Sequence, residues 1–116
     1  MKQPLPIIDL NEHFYAKGYY ERLANYIIEF ENSLNEDEEV GAKLTSFGEK
    51  YTIHIDNIGY HNPRLICFYG RNENNQEIQL IQDVSQINIL LVKVKRKDLQ
   101  RKRVGFVLKS DLETIN

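Results

Sequence analysis

The sequence predicts an α+β domain in which N-terminal helices pack on a mostly antiparallel sheet of five or six strands. Three patterns predict this class. Apolar residues recur on one face of a helix at Leu23, Ile27, Phe30 and Leu34. Residues 51–56 alternate between apolar and polar side chains, which is typical of a strand with one buried face. Residues 65–69 form a continuous apolar run, which favours a central strand covered on both faces.

The first ten residues are expected to form an extended arm. Pro4 and Pro6 exclude a helix from it, because proline lacks a backbone N–H and has a fixed φ angle. Ile7 and Ile8 are apolar enough to hold such an arm on a surface.

Residues 11–35 are expected to be helical, in two segments. Asn11 is a candidate N-cap for a short helix that ends near Lys17, since its side chain accepts from free N–H groups. Gly18 is expected to break the chain there. The amphipathic helix then occupies residues 19–34.

The sheet is expected to span residues 40–108. Its predicted strands are residues 40–47, 51–60, 65–69, 77–82, 87–95 and 103–108. Residues 48–50 and 61–63 suit turns, and a bulge is expected at Asn57 or Gly59. Residues 84–94 fit a helix or a strand. We favour a strand entered through a turn at residues 84–86, followed after residue 108 by a short helical turn.

Composition points to one domain over residues 1–116, of which 41% are hydrophobic and 28% charged. A net charge of −2 gives no reason to expect duplex nucleic acid as a partner. The single cysteine excludes an intramolecular disulfide and favours a reducing, cytoplasmic location. No apolar run approaches the length that a membrane span needs.

The sequence offers little for catalysis, and we expect neither an enzyme nor a cofactor. Cys67 lies in an apolar run, where burial makes a thiol inert. His13, His54 and His61 do not have the spacing of metal ligands; His54 is expected to face solvent. The acidic run at residues 36–39 suits a solvated loop.

Basic residues are concentrated in one segment, and this segment is the main functional clue. The seven are Lys93, Lys95, Arg96, Lys97, Arg101, Lys102 and Arg103. Arg101 and Arg103 would share one side of the last strand, and guanidinium groups match phosphate oxygens. Polar and aromatic residues available to read or stack on a base are Gln82, Gln86, Asn88, Tyr60, Phe68 and Tyr69. The alternative is an ordinary solubilising edge strand.

Tyrosine and phenylalanine at residues 14–15 and 19–20 exceed what one helix face can bury. Such aromatics indicate a subunit interface or core packing. With a core this small, a homo-oligomer is favoured.

Four segments also resemble a known family. They are residues 58–60, 63–70, 80–91 and 103–106, of which Gln-x-x-Ser-Gln-x-Asn at 82–88 and Arg-x-Gly-Phe at 103–106 are the most specific. Over residues 19–108 the chain resembles the small bacterial and prophage domain family that includes the first-described phage anti-Thoeris proteins.

The resemblance implies a non-enzymatic sponge. Such proteins sequester cyclic ADP-ribose isomers made by TIR-domain defence proteins, form oligomers up to hexamers, and in some cases hold cyclic trinucleotides at a separate symmetric site. It implies that Arg103 contacts phosphate, that Phe68 or Tyr69 lies beside the base, and that Gln86 or Asn88 bonds polar edges. Arg22 is the candidate for a trinucleotide at a symmetry axis. The chain departs from the family at Asp83, where a carboxylate suits ribose hydroxyls.

Three other functions remain open. The main rival is a protein-interaction module that uses the basic segment and binds no nucleotide. A binder of single-stranded nucleic acid would use the same basic strand and aromatics. A hydrolase is disfavoured because no nucleophile is paired with a base.

Overall fold

The computed structural model describes residues 15–44 and 51–115, and it confirms the α+β class. In chain order the elements are α1 (Ala16–Glu31), β1 (Glu38–Leu44), β2 (Thr52–His61), β3 (Leu65–Arg71), β4 (Glu77–Asp83), a 3₁₀ turn (Val84–Gln86), β5 (Ile89–Lys95) and α2 (Val104–Ile115). The predicted arm, the Asn11 cap, His13 and the turn at residues 48–50 lie outside the described residues.

The five strands form one antiparallel sheet in the order β4-β3-β2-β1-β5. β5 returns to the far side of β1, and its register runs from Glu38 opposite Lys95 to Leu44 opposite Ile89. The segment that fitted either a helix or a strand is therefore a 3₁₀ turn followed by a strand, as we favoured.

A bulge lies in β2, where the pairing with β3 shifts between Ile55 and Asn57. The extra residue lets Ile55 and Ile58 both enter the core, although they are three positions apart. Asp56 stands at this irregularity, which places its carboxylate beside the end of β3.

α1 is one helix, so the predicted break at Gly18 is wrong. The β2–β3 turn holds its first residues: the Ala16 N–H donates to Pro63 O at 2.7 Å, and the Lys17 N–H donates to Asn62 Oδ1 at 3.0 Å. Burial of Ala16 and neighbouring side chains outweighs the roughly 1 kcal/mol that a glycine costs inside a helix.

The buried face of α1 follows a helical repeat. Its buried residues are Ala16, Tyr20, Ala24, Ile27 and Glu31. Leu23, Phe30 and Leu34 pack at its border, so the predicted apolar stripe was displaced by part of a turn. Tyr20 packs in the core 5.0 Å from the Tyr60 ring, whereas Tyr15 and Tyr26 are exposed.

The last predicted strand, residues 103–108, is instead the start of helix α2, and the sheet ends at Lys95. Val104 and Leu108 are buried and Leu112 is partly buried, a spacing of four residues that suits a helix packed on α1 and β2. The short helical turn expected after residue 108 is thus part of α2.

Both helices lie on the same face of the sheet, and within residues 15–44 and 51–115 no helix lies on the other face. The apolar run of β3 was predicted to be covered on both faces, and this was wrong. Ile66 and Phe68 are buried under the helices, while Leu65 and Tyr69 on the opposite face are 38% and 39% exposed.

Candidate anion-binding site

The predicted site residues lie in four different environments. Arg103 lies between α1 and α2. Arg101 and Tyr69 lie by the helix-free face of the sheet. Asp83, Gln86, Asn88 and Arg22 surround the 3₁₀ turn. Phe68 is 1% exposed in the core, so its ring is not accessible to a base. One chain does not bring these residues together at a single site.

The strongest concentration of positive charge surrounds a hollow at the start of α2. Its volume is about 330 Å³, and its lining residues are Glu31, Asn32, Arg96, Lys102, Arg103, Phe106 and Lys109. We call it the basic hollow. Four of these seven side chains are cationic and one is acidic. A surface with this imbalance attracts anions.

The two arginines of the basic hollow are held by neutral oxygens. Arg96 donates to the backbone oxygens of Glu36, Leu99 and Arg101 at 2.6–3.0 Å. Arg103 donates from Nη1 to the oxygens of Asn35 and Glu38. Backbone carbonyls fix both guanidinium groups, and Arg103 also lies near one carboxylate, with its Nε 4.0 Å from Glu31 Oε1.

The positive charges of the hollow have few carboxylate partners. In residues 15–44 and 51–115, Arg96, Lys102 and Lys109 form no salt bridge, and Arg96 Nε is a buried donor that lacks an acceptor. The positive charge of these three side chains is therefore not neutralised by a described carboxylate and can attract an anionic ligand.

Phe106 supplies an aromatic wall for the basic hollow. Its side chain is 58% exposed, and Lys102 Nζ lies 5.1 Å from the centre of its ring. Phe106 and Lys109 are three residues apart and share one side of α2, and Lys102, two residues before the helix, lines the same hollow. Phe106 was not predicted as a site residue because residues 103–108 were assigned to a strand. The same spacing was the signal that could have revealed it.

Glu31 forms the acidic wall of the basic hollow. Its Oε1 accepts the Gly105 N–H at 2.9 Å and lies 4.0 Å from Arg103 Nε. A Cβ atom at position 105 would lie 2.1 Å from Glu31 Oε2, so a larger residue there requires the Glu31 carboxylate to move. Glu31 thus joins the end of α1 to the first turn of α2.

A second hollow lies between α1 and the 3₁₀ turn, with a volume of about 420 Å³. Its lining residues are Tyr19, Arg22, Leu23, Tyr26, Val84 and Ile87. The Arg22 guanidinium lies 4.8 Å from the centre of the Tyr19 ring. This surface has aromatic rings and one cation, which gives it less positive charge than the basic hollow.

The predicted polar residues near this second hollow have structural contacts. Asp83 forms two hydrogen bonds with Arg64, at 2.8 and 2.9 Å, and accepts from the Ser85 N–H. The Arg64 guanidinium and Ser85 hold the pKa of Asp83 well below its ordinary value. Gln86 accepts from Gln82 through its backbone oxygen, and the Asn88 side chain is exposed.

A buried ionic network lies at the end of the sheet where β1 begins. His54 is 2% exposed, and its Nδ1 lies 2.7 Å from Glu39 Oε1 and its Nε2 3.1 Å from Glu73 Oε1. Arg71, 3% exposed, bonds both Glu39 and Asp56. Two predictions were therefore wrong: His54 does not face solvent, and the acidic run does not lie wholly in a loop.

The electrostatics of this network stabilise its charges. Burial alone would raise the pKa of Glu39, but hydrogen bonds and charges from His54 and Arg71 leave it below its ordinary value. The hydrogen bond to Asp56 raises the pKa of Arg71. The network fixes the end of the sheet beneath the segment that leads to α2, because Arg101 Nη1 also bonds Asp56 at 3.0 Å.

Tyr69 lies at the edge of this region. Burial, together with the neighbouring Cys67 thiol, raises the pKa of its hydroxyl. Tyr69 and Asp56 line one hollow, with Glu77 and Gln79, and Arg101 bonds Asp56, so Arg101 and Tyr69 both lie beside this acidic residue.

These features define the class of the molecule: a small α+β domain with a basic, aromatic-walled surface hollow. The chain belongs to the family of unknown function DUF6173, whose model matches residues 9–107. No curated protein and no solved structure matches the chain.

Two features are missing from residues 15–44 and 51–115. Neither α1 nor α2 is long and apolar enough to cross a membrane. Within the same residues, no three His, Cys, Asp or Glu side chains are grouped as a metal ion would require.

Proposed function

We propose that this protein binds a cyclic nucleotide signal in the basic hollow and sequesters it without chemical change. The observation on which this depends is the convergence of Arg96, Lys102, Arg103 and Lys109 around a hollow that also has an exposed aromatic ring. The resemblance to the anti-Thoeris family supplies the ligand class, which comprises cyclic ADP-ribose isomers and cyclic trinucleotides.

The charge of the hollow suits phosphate diesters. Lys102 and Lys109 are exposed, and their flexible ammonium groups can approach phosphate oxygens from the rim. Arg96 and Arg103 are fixed deeper, so they contribute positive potential while keeping their backbone contacts. Charge-assisted hydrogen bonds contribute about 1.5–3 kcal/mol each.

Phe106 suits the base of such a ligand. Stacking of a base on an aromatic ring contributes roughly 1–3 kcal/mol. The stacking role that the resemblance gave to Phe68 or Tyr69 is better placed at Phe106, because Phe68 is buried in the core.

Sequestration at nanomolar concentration requires about −12 kcal/mol. The open hollow of one chain falls short of this, so we propose that a second copy closes it in a homo-oligomer of two to six chains. We also place the protein in the cytoplasm, where such signals act and where a free Cys67 is compatible with the reducing conditions.

Calorimetric titration with cyclic ADP-ribose isomers and a cyclic trinucleotide tests the proposal. Lys102→Ala and Lys109→Ala should each weaken binding by roughly ten- to 150-fold, the loss of one charge-assisted hydrogen bond. Lys93→Ala is the matched control, because Lys93 is exposed on β5 outside the hollow, and it should change affinity less than twofold. Equal effects of all three variants would contradict the site.

The fate of the ligand tests the absence of chemistry. After incubation and heat denaturation, mass spectrometry should recover the ligand intact. Recovery of a cleaved product, at a rate that depends on the protein, would show that the protein is an enzyme.

An acidic protein segment is the second candidate ligand. Leu99 is 66% exposed in the basic segment that precedes α2, and with Phe106 it adds apolar surface beside the cations. This function predicts that an acidic peptide with apolar residues binds in a manner that depends on Lys102, while no cyclic nucleotide binds.

A further inference from the structure

We propose that Glu31 sets how strongly the basic hollow discriminates between anions by charge, reducing its preference for compact polyanions over ligands with few charges. The inference rests on the proposed function of this hollow as an anion site. It adds a rule of ligand choice that the hollow's positive charge alone does not give.

Among the described residues that line the hollow, Glu31 alone is acidic, and it is 7% exposed. The Gly105 N–H and the Arg103 guanidinium hold its carboxylate at the junction of the two helices. Because position 105 has no Cβ, the carboxylate can approach the first turn of α2 closely enough to accept the Gly105 N–H. Its negative charge is therefore a fixed part of the wall.

A fixed negative charge acts on each charge of a ligand separately. Solvent screens a buried group less than an exposed one, so the repulsion persists at physiological salt. It grows with the number of ligand charges, and a triphosphate is penalised more than a cyclic molecule with one charge per phosphate. The four cations attract both ligands, and Glu31 weakens the binding of the triphosphate more than that of the cyclic molecule.

This selectivity would matter inside a cell, where nucleoside triphosphates are abundant competitors. A hollow with cations alone would fill with the most highly charged anion available. The Glu31 carboxylate lowers that preference while the neutral wall formed by Phe106 continues to favour a base.

The test compares three probes, which are inorganic tripolyphosphate, pyrophosphate and cyclic ADP-ribose, by calorimetry at fixed salt. Glu31→Gln keeps an oxygen that accepts from the Gly105 N–H but removes the charge. It should bind tripolyphosphate about five- to tenfold more tightly and cyclic ADP-ribose less than threefold more tightly. Glu29→Gln removes the same charge from an exposed position of α1 and should change every affinity less than twofold.

The outcomes separate the two proposals. Binding of tripolyphosphate that strengthens in Glu31→Gln, with no binding of any cyclic nucleotide, would support the role of Glu31 and overturn the proposed function. Cyclic ADP-ribose binding with equal gains for all probes, or equal effects of Glu31→Gln and Glu29→Gln, would overturn the role of Glu31 alone. Failure of all three probes to bind the wild-type protein would overturn both.

A second variant covers the case in which Glu31→Gln does not fold. Lys102→Glu places a second carboxylate at the exposed rim of the hollow. It should weaken tripolyphosphate binding at least fivefold more than cyclic ADP-ribose binding. Equal weakening of both probes would show that added negative charge does not select between them, which overturns the inference.

Discussion

Replacing Gly105 with alanine should destabilise the protein, although alanine is ordinarily the better helix residue. Gly105 is the second residue of α2, and inside a helix the exchange of glycine for alanine usually stabilises by about 0.5–1 kcal/mol. Here the new Cβ would lie 2.1 Å from Glu31 Oε2 and 2.6 Å from its Cδ. The Glu31 carboxylate must therefore move.

The size of the effect follows from what that movement breaks. The hydrogen bond from the Gly105 N–H to Glu31 is buried and charge-assisted, and its loss costs about 1.5–3 kcal/mol. Subtracting the gain in helix propensity leaves a net loss of about 0.5–2.5 kcal/mol. For a domain of this size, the melting temperature should fall by roughly 2–10 °C.

Circular dichroism during urea and thermal unfolding measures this for four proteins: wild type, Gly105→Ala, Glu31→Ala and the double variant. Once Glu31 is shortened, the clash disappears, so alanine at 105 should be neutral or stabilising in that background. The double-mutant cycle should give a coupling of about 1–3 kcal/mol. A single Gly105→Ala variant at least as stable as wild type would refute the contact between Glu31 and α2.

Three further outcomes are expected. Arg71→Leu leaves Glu39 buried without its guanidinium partner and should lower the free energy of unfolding by about 3–5 kcal/mol. Arg64→Leu removes an exposed ion pair and should lower it by less than about 1 kcal/mol. Similar urea midpoints for the two variants would contradict the burial of the network. The folded-state pKa of Glu39 is lowered, so its contribution to stability is present above its ordinary pKa of 4.5 and is lost as pH falls. Between pH 6 and 3 the free energy of unfolding should therefore decline less steeply in Glu39→Gln than in wild type. Equal slopes for the two proteins would contradict the lowered pKa. Phe68→Ala should cost about 3–5 kcal/mol in stability, as a core residue does, and a fully stable variant that only loses ligand binding would restore Phe68 to the site.

The sheet could be predicted from the sequence because its strands carry local signals. The alternation in residues 51–56 indicates the buried face of β2, and the apolar residues before Lys93 indicate β5. The class of the fold followed from these periods alone. Gly18 misled the helix prediction because the turn that holds the start of α1 comes from residues 62–63, far along the chain.

α2 was missed because its apolar spacing is short and a basic segment precedes it. Val104 and Leu108 fit a strand or a helix when considered without their partner α1. The basic segment itself was found, but the hollow was not, since Glu31 and Phe106 join the cations only when two helices pack side by side.

The buried network could not be inferred from local patterns. Polar residues such as His54 and Glu39 ordinarily face water, and here each is buried because the partner comes from another strand. Arg71 compensates Glu39 across 32 positions of sequence, a separation that no periodicity reports. Ion pairs of this kind are visible only in the folded chain.

The pairing of β5 with β1 has a consequence for the order of folding. Glu38 and Lys95 are 57 positions apart (95 minus 38), so β1 must wait for most of the described chain before its second neighbour arrives. Until then the nascent polypeptide has an unprotected strand edge at Val40 and Ala42, open to pairing with other chains. Delayed arrival of β5 during synthesis is therefore the step at which we expect chaperones to matter most for this protein.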